Sequence, residues 1–303
     1  MSFMSVARRR SRAATLLALA LTAPACSRTE LAPRGAAVSV DDFGDTLRAG
    51  AAPRRIVSLN PTTTELLFAI GAGNRLVGRT RWDLYPDSAR YVPDLGDGIR
   101  PNVEIVLAAR PDLVVLYAGE ANRPAAAELR NAGVRTLSLK IDHIAEFYRA
   151  LRLLGAMTGD SASARIVEDS VRRSLESVRA RTASLARPTV FWPVWEQPLL
   201  AVGGGSFLSE LVTIAGGRNV YDSLKGPSPQ VSMEDVVEHD PDVIFAGPKS
   251  ARHLRTDVAW KRLRAVREGR VLVVDTALVL RPAVRLGEAA RSLARLLHPE
   301  AGF

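Results

Sequence analysis

With 303 residues, 47% of them apolar, the chain can bury one large core or two ordinary ones. Its net charge of +9 points first to nucleic acid, but four arginines lie within the first 25 residues and no later basic run is interleaved with aromatics, which argues against that partner. A single cysteine excludes an internal disulfide.

The N-terminus places Arg8-Arg-Arg-Ser-Arg12 before an apolar run over 13–22 and the small-x-small sequence Ala23-Pro-Ala25. This order describes an export signal in residues 1–25, and the apolar run is too short to span a bilayer. Cys26 follows directly, a placement that resembles a bacterial lipoprotein signal in which the cysteine is acylated after cleavage. Such signals usually carry Leu where Ala23 stands, and the same residues suit ordinary cleavage to a free exported form. Residues 26–52 are polar, with Pro and Ala, and read as a tether.

The first lobe is expected over 53–158. It opens with the buried strand Arg55-Ile-Val-Ser-Leu59, then Asn60-Pro-Thr-Thr-Thr-Glu65 leads into a helix. A strand ending in Ser, Asn, Pro and Thr at a helix start leaves N–H groups facing outward, where α/β proteins bind ligands. Further strands are read at Leu113–Tyr117 and Gly133–Ser138.

Residues 159–187 hold a long amphipathic helix from Ser161 to about Leu185, with Ile166, Val167, Val171, Leu175, Val178 and Leu185 on its apolar face. Asp160 or Ser161 is its expected cap and Pro188 its stop. The second lobe, 188–303, opens with a strand over Thr189–Trp195 and continues through Gly203-Gly-Gly-Ser-Phe207 into a helix. Strands at Val243–Phe245 and Arg270–Asp275 and a final helix ending near His298 complete it.

Two sequence pairs repeat across the long helix. Glu104 to Val115 matches Glu234 to Phe245, each with Glu opening a short helix, Pro-Asp seven residues on, and a β-branched run. Glu65 to Gly71 matches Glu210 to Gly216, each helix ended by Gly. The predicted fold class is therefore α/β, two parallel-sheet lobes joined by a single long helix.

The Asn60–Glu65 segment, the unit from Asn102-Val-Glu104 to Arg110-Pro-Asp112, Gly203–Phe207, and Pro229-Gln-Val-Ser-Met-Glu234 together resemble the periplasmic binding proteins with a helical backbone, which serve ABC importers of cobalamin, haem and ferric siderophores. The similarity runs over about 53–300 in one order. It is strongest toward the cobalamin-binding members, through Leu76–Pro86 and Pro229–Ser232. The resemblance implies a ligand held between the lobes, no resident cofactor, an ABC permease with its cytoplasmic ATPase as partner, a monomer, and a possible lipid anchor at the membrane. It implies that Glu104 and Glu234, one on each lobe, dock into arginine pockets of the permease. It also places Trp82, Tyr117 and Arg281 at the ligand, and the residues themselves add Tyr85, Trp192 and Trp195 as aromatic candidates. Gly98, Val194, Leu200 and Ser228 stand where the cobalamin-binding members imply rings. Arg281 and Arg285 could instead meet carboxylates of haem or an anionic ferric siderophore.

Other chemistry finds less support. His143, His239, His253 and His298 have no i, i+4 pairing, so a metal site is not expected. Nucleotide-binding glycine motifs are missing, and Ser206 lacks the second Gly of a nucleophile elbow. An enzyme would need a catalytic acid/base set, for which only Asp83, Asp97 and His143 offer themselves.

Overall fold

Each half of the chain lays down a four-stranded parallel sheet, and the two sheets have the same strand order. The computed structural model describes residue 1 and residues 37–48 and 50–303; the export signal and Cys26 lie outside the described residues. The first half contains β1 (Ala37–Val40), β2 (Thr46–Arg48), β3 (Ile56–Leu59), α1 (Pro61–Ala69), β4 (Leu76–Gly78), α2 (Val103–Ala108), β5 (Leu113–Tyr117), α3 (Arg123–Asn131), β6 (Arg135–Leu139) and α4 (Ile144–Thr158). Then comes the long helix α5 (Ser161–Thr182). The second half contains β7 (Thr189–Phe191), β8 (Pro193–Glu196), β9 (Leu199–Ala201), α6 (Phe207–Ile214), β10 (Arg218–Asn219), α7 (Met233–His239), β11 (Val243–Ala246), α8 (Pro248–Thr256), α9 (Arg264–Arg267), β12 (Val271–Val273), α10 (Thr276–Val279) and α11 (Leu286–Leu297). The sheets run β4-β3-β5-β6 and β10-β7-β11-β12, so the sequence repeat is a repeat of topology.

The paired Pro-Asp units have a structural cause. Arg110 and Asp240, each six residues after its Glu, adopt φ of 48° and 36°, turning the chain at the helix end. Two residues later, Asp112 accepts hydrogen bonds from the Arg54 and Arg55 amides at 2.8 and 3.1 Å, tying down the start of β3. Asp242 does the same for β7 through the Thr189 amide at 2.8 Å. Arg264 holds Asp242 from the other side at 2.8 Å, so its carboxyl is pulled down to about 2.

Side chains alternate between two environments along the central strands, as the pleat requires. Ile56, Leu113, Val115, Val190, Val243 and Phe245 belong to one core that runs through both lobes and α5. Val57, Val114 and Leu116 enter a smaller cluster beneath the first sheet, and Phe191, Ile244 and Ala246 another beneath the second. The repeat suggested two ordinary cores; the structure has one shared core with a satellite under each sheet.

Several details differ from the sequence reading. Residues 37–48 are not tether but an antiparallel hairpin beside β6, where Asp41 accepts from the Ser138 amide at 2.9 Å and Asp42 from Lys140 at 2.8 Å. Helix α5 ends at Thr182, and Asp160 makes no cap but pairs with Arg75. Its buried stripe is Ala164, Glu168, Val171, Leu175, Val178 and Thr182. Ile166, about half a turn off that stripe, is 69% exposed. Glu168, expected among solvated charges, is buried and held by Arg152 and Arg172 at 2.9 and 2.7 Å. The predicted strand over 189–195 splits at Trp192, because β8 leaves the sheet to pair with β9.

Helix α11 lies close against α5 at Gly287, where an added Cβ would sit 2.4 Å from the Ser174 Cβ. Gly287→Ala should therefore force the two helices apart and lower stability by about 1–3 kcal/mol. A urea denaturation curve with an unshifted midpoint would contradict this packing.

Candidate functional site

All four strands of the first sheet end at one cavity of about 590 Å³. Leu59 ends β3 and Asn60 follows it, Thr80 and Trp82 follow β4, Tyr117 ends β5, and Ile141 follows β6. The carboxyl ends of parallel strands are where open α/β sheets hold ligands. Asp97, Gly98 and Ile99 form another part of this wall, and Leu280, Arg281 and Pro282 close it from the segment after α10. A second cavity of about 560 Å³ is lined by Pro193 to Gln197, Lys249, Ser250 and His253, from β8 and α8, the elements that follow β7 and β11. A smaller one of about 260 Å³ shares Leu280 with the first and Pro193, Val194, Lys249 and Ser250 with the second. The carboxyl ends of both sheets thus face a chain of cavities joined by shared residues.

The first wall is aromatic and apolar. Trp82 is 54% exposed, its indole N–H 3.4 Å from Asp97 Oδ2. The Ile99 amide and that indole hold the Asp97 carboxyl below the usual carboxylate range. Burial raises the Tyr117 phenol. Behind the wall, the buried Asn122 donates to the carbonyls of Gly98 and Tyr117 at 2.9 and 3.0 Å and accepts from the Arg100 amide at 2.8 Å. Gly98 is a close approach of backbone to backbone: a Cβ there would lie 2.3 Å from the Leu59 carbonyl oxygen. No ring fits at that position. Val194 is exposed and lines the second and third cavities, while Ser228 is exposed on a loop.

Charged groups collect beneath this wall. Glu65, which the sequence marked only as the end of the Asn60–Glu65 segment and the first residue of a repeated helix segment, is 2% exposed and lies 3.6 Å from Arg281 Nη1. Burial lifts its carboxyl to about 7, against the opposing pull of Arg281 and Arg285. Arg281 Nη2 donates to the Trp82 carbonyl at 2.9 Å, linking positions 199 residues apart. Asp83, also buried and raised by burial, accepts hydrogen bonds from the hydroxyls of Thr64 and Thr80.

The remaining sequence candidates fall in different places. Tyr85 does not line these cavities; the Arg285 guanidinium stacks over its ring at 4.0 Å. Trp192 is 3% exposed, edge-on to Phe245 at 5.2 Å, and reaches only the cavity of about 260 Å³. Trp195, on the β8–β9 hairpin, is 62% exposed and lines the second cavity. His143 is engaged with Glu210 at 2.7 Å, away from Asp83 and Asp97 in its contacts. Glu104 and Glu234 are exposed in the first turns of α2 and α7, which are capped by Asn102 and Ser232. Among the described residues neither glutamate has a hydrogen-bond or ion-pair partner, whereas the adjacent Asp235 accepts from the Tyr221 hydroxyl at 2.6 Å. Sequence reasoning missed Ile99, Ile141, Leu280 and Asn122, which sit in irregular segments where periodicity carries no signal.

Two lobes of like topology, a shared core between them, and a cleft at the carboxyl ends of both sheets define a protein that encloses a ligand. A profile of the periplasmic binding protein family matches residues 56–278, and the chain belongs to that family. An uncharacterized ABC transporter substrate-binding lipoprotein of Bacillus subtilis is 29% identical over 283 residues, 90% of this chain and 88% of that one. A vitamin B12-binding protein of Yersinia pestis is 32% identical over 228 residues, covering 75% and 81%. Among solved structures, the periplasmic vitamin B12 binding protein of Vibrio cholerae superposes with a TM-score of 0.72 at 25% identity, covering 83% of this chain and 99% of that one. A periplasmic heme-binding protein from Roseiflexus shares the fold, with a TM-score of 0.74 at 22% identity and coverage of 83% and 100%.

Glu65 gives a stability prediction whose sign follows from its raised carboxyl. A group bound to its proton more tightly in the folded state stabilises fully below its unfolded value of 4.5, and that contribution is lost as pH rises through about 7. Glu65→Gln has no proton to lose. Relative to wild type it should gain about 1–3 kcal/mol between pH 5 and pH 8, read as a difference in unfolding free energy. A constant difference across that range would contradict the placement of Glu65.

Proposed function

We propose that the chain is the exported substrate-binding protein of an ABC importer, capturing a metal-chelate ligand, cobalamin in the first place, and delivering it to a permease driven by a cytoplasmic ATPase. The observation that carries this reading is the row of cavities along the two lobes: an apolar, aromatic one on the first sheet joined through a smaller one to a more polar one on the second lobe. A flat chelate with an apolar face and an amide-bearing edge suits such a site. Arg281, already engaged with Glu65 and the Trp82 carbonyl, has fewer donors left for an anionic ligand, which favours cobalamin over an anionic siderophore. Haem remains the second reading, because Lys249 on the second cavity suits a carboxylate edge, while His253 beside it is paired with Glu196 at 3.3 Å. The ligand contacts are Trp82, Tyr117, Arg281 and Trp195, with Tyr85 and Trp192 supporting from behind.

Glu104 and Glu234 are the docking residues, one on each lobe, exposed carboxylates free to form ion pairs only on contact with the permease. Cys26 is the point of lipid attachment, the protein acts as a monomer, and it captures and releases without chemical change. The lobes comprise 53–158 and 188–303, joined by 159–187. Because α5 and the shared core run through both, closure on the ligand is limited to a few degrees.

Calorimetric titration with cyanocobalamin, haemin and a ferric siderophore in parallel tests the ligand. Cyanocobalamin is expected to bind tightly, with Trp82→Ala weakening it by about tenfold or more; binding of another chelate alone would replace the ligand and keep the role. Glu104→Ala and Glu234→Ala should leave that affinity unchanged while reducing uptake, and a variant that docks normally but loses ligand would reverse the assignment. Solution scattering should show little compaction with ligand; a large one would refute limited closure.

A further inference from the structure

We propose that Glu65 is a positioning residue for the cleft: through Arg281 it fixes the Trp82 segment to the C-terminal lobe, so that ligand affinity depends on its charge. The inference rests on the ligand-capture reading of the same site and adds a determinant that does not touch the ligand.

The geometry is a three-part bridge. Glu65 projects from α1 of the first lobe, and its Oε1 is buried with no hydrogen-bond partner among the described residues. The nearest cation is Arg281, from the segment between α10 and α11. A guanidinium hydrogen bond to the Trp82 carbonyl at 2.9 Å carries the constraint back to the first lobe at the residue that faces the cavity. One arginine thereby spans a carboxylate and a carbonyl that are 17 residues apart in sequence, both in the lobe it does not belong to.

The charges around Glu65 are few. Arg281 and Arg285 act on it from the C-terminal segment and Asp83 from the loop after β4. Arg285 is fixed by stacking over Tyr85 and by its bond to the Ala277 carbonyl at 3.1 Å, and its Nε is buried with no hydrogen-bond partner among the described residues. Asp83 is occupied by the two threonine hydroxyls. Arg281 is therefore the group whose position answers to Glu65. When Glu65 is ionised, its attraction holds the guanidinium in the bridge. When it is protonated, that attraction is gone, only the carbonyl bond remains, and Trp82 loses its fixed place. Burial with a carboxyl near 7 puts this change in the neutral range.

A buried residue of merely structural value would lower stability and affinity together when replaced. The present arrangement predicts opposite signs for Glu65→Gln at pH 8: higher stability, because an ionised buried carboxylate is removed, and weaker ligand binding, because Arg281 is no longer held.

The test reads Trp82 first without ligand. Its fluorescence, taken as wild type minus Trp82→Phe to remove the other tryptophans and the His253 beside Trp195, is followed from pH 5 to pH 9. A transition near 7 is expected in wild type and its absence in Glu65→Gln; Asp97, held low, does not titrate there. Cyanocobalamin affinity, measured in parallel, should fall about fivefold from pH 8 to pH 5.5 in wild type and be weak and flat in Glu65→Gln. Arg281→Lys, at a more exposed position, should also flatten both profiles, since one ammonium does not span both acceptors. A flat wild-type Trp82 signal, a transition that survives in Glu65→Gln, or wild-type affinity of that variant at pH 8 would overturn the proposal. If cyanocobalamin binds at no pH, the ligand reading fails and the Trp82 transition still decides the positioning role.

Discussion

The constraint on which the molecule depends is that each parallel sheet must bury both faces, and the helices that cover the inner faces, α1 and α4 in the first lobe and α6 and α11 in the second, merge with α5 into one core. Helices α2 and α3 cover the outer face of the first sheet, and α8 and α9 that of the second. The inner faces share one core, and α5 passes through it carrying a stripe of Ala164, Val171, Leu175 and Val178. Separating the lobes would expose the apolar stripe of α5 and the sides of α4, α6 and α11 packed around it. The lobes are therefore not independent bodies on a tether, and the close approach of α11 to α5 at Gly287 tightens the same junction.

That junction leaves the opposite ends of the strands open. Parallel strands bring their carboxyl ends to one side, so two sheets with equal strand order and a common inner core necessarily present a row of loop residues to the same cleft. The walls then differ by sequence alone: Trp82, Tyr117 and Ile99 on one side, Glu196, Lys249 and His253 on the other. Beneath the apolar wall sits a carboxylate that desolvation disfavours and two arginines only partly compensate. Burying an ionisable pair without full hydrogen bonding is a poor source of stability, and its occurrence under the cleft aromatic, rather than in the shared core, is the pattern expected of a site kept for function.

Much of the fold was legible because the repeat has local physical causes. A left-handed residue at Arg110 or Asp240 and an aspartate tying down the next strand are backbone requirements, and they leave the Glu-to-Asp spacing visible in sequence. Long-range determinants were not legible. Glu168 reads as a solvated charge until Arg152 from α4 is brought to it, and Ile166 reads as core because helical periodicity tolerates an offset that packing does not. Trp82, Tyr117 and Arg281, read through resemblance as ligand contacts, line the first cavity, while Glu65 was noticed only as the end of the Asn60–Glu65 segment and the start of a repeated one. Its partner lies 216 positions away, and no local pattern announces it. Gly98 shows the converse: the missing ring there is a consequence of the Leu59 carbonyl, not a statement about the ligand.

The two exposed glutamates can be weighed in the same terms. An acid in the first turn of a helix is favoured by the helix dipole whatever its function, so position alone decides nothing. Among the described residues Glu104 and Glu234 have no partner, as is true also of Glu288 in the first turn of α11, and what sets the two apart is that they stand at matching places in the two lobes. Asp235, one residue along, is tied to Tyr221; Glu146 reaches back to the amides of Asp142 and His143; Glu210 engages His143. Glu104 and Glu234 occupy equivalent places in the two lobes, and under the limited closure proposed above their separation changes little when ligand binds. A rigid pair of unpaired carboxylates can recognise a complementary pair of cations only at one spacing and in one orientation. That selectivity would be lost if α5 were a flexible hinge, which ties the surface reading back to the core.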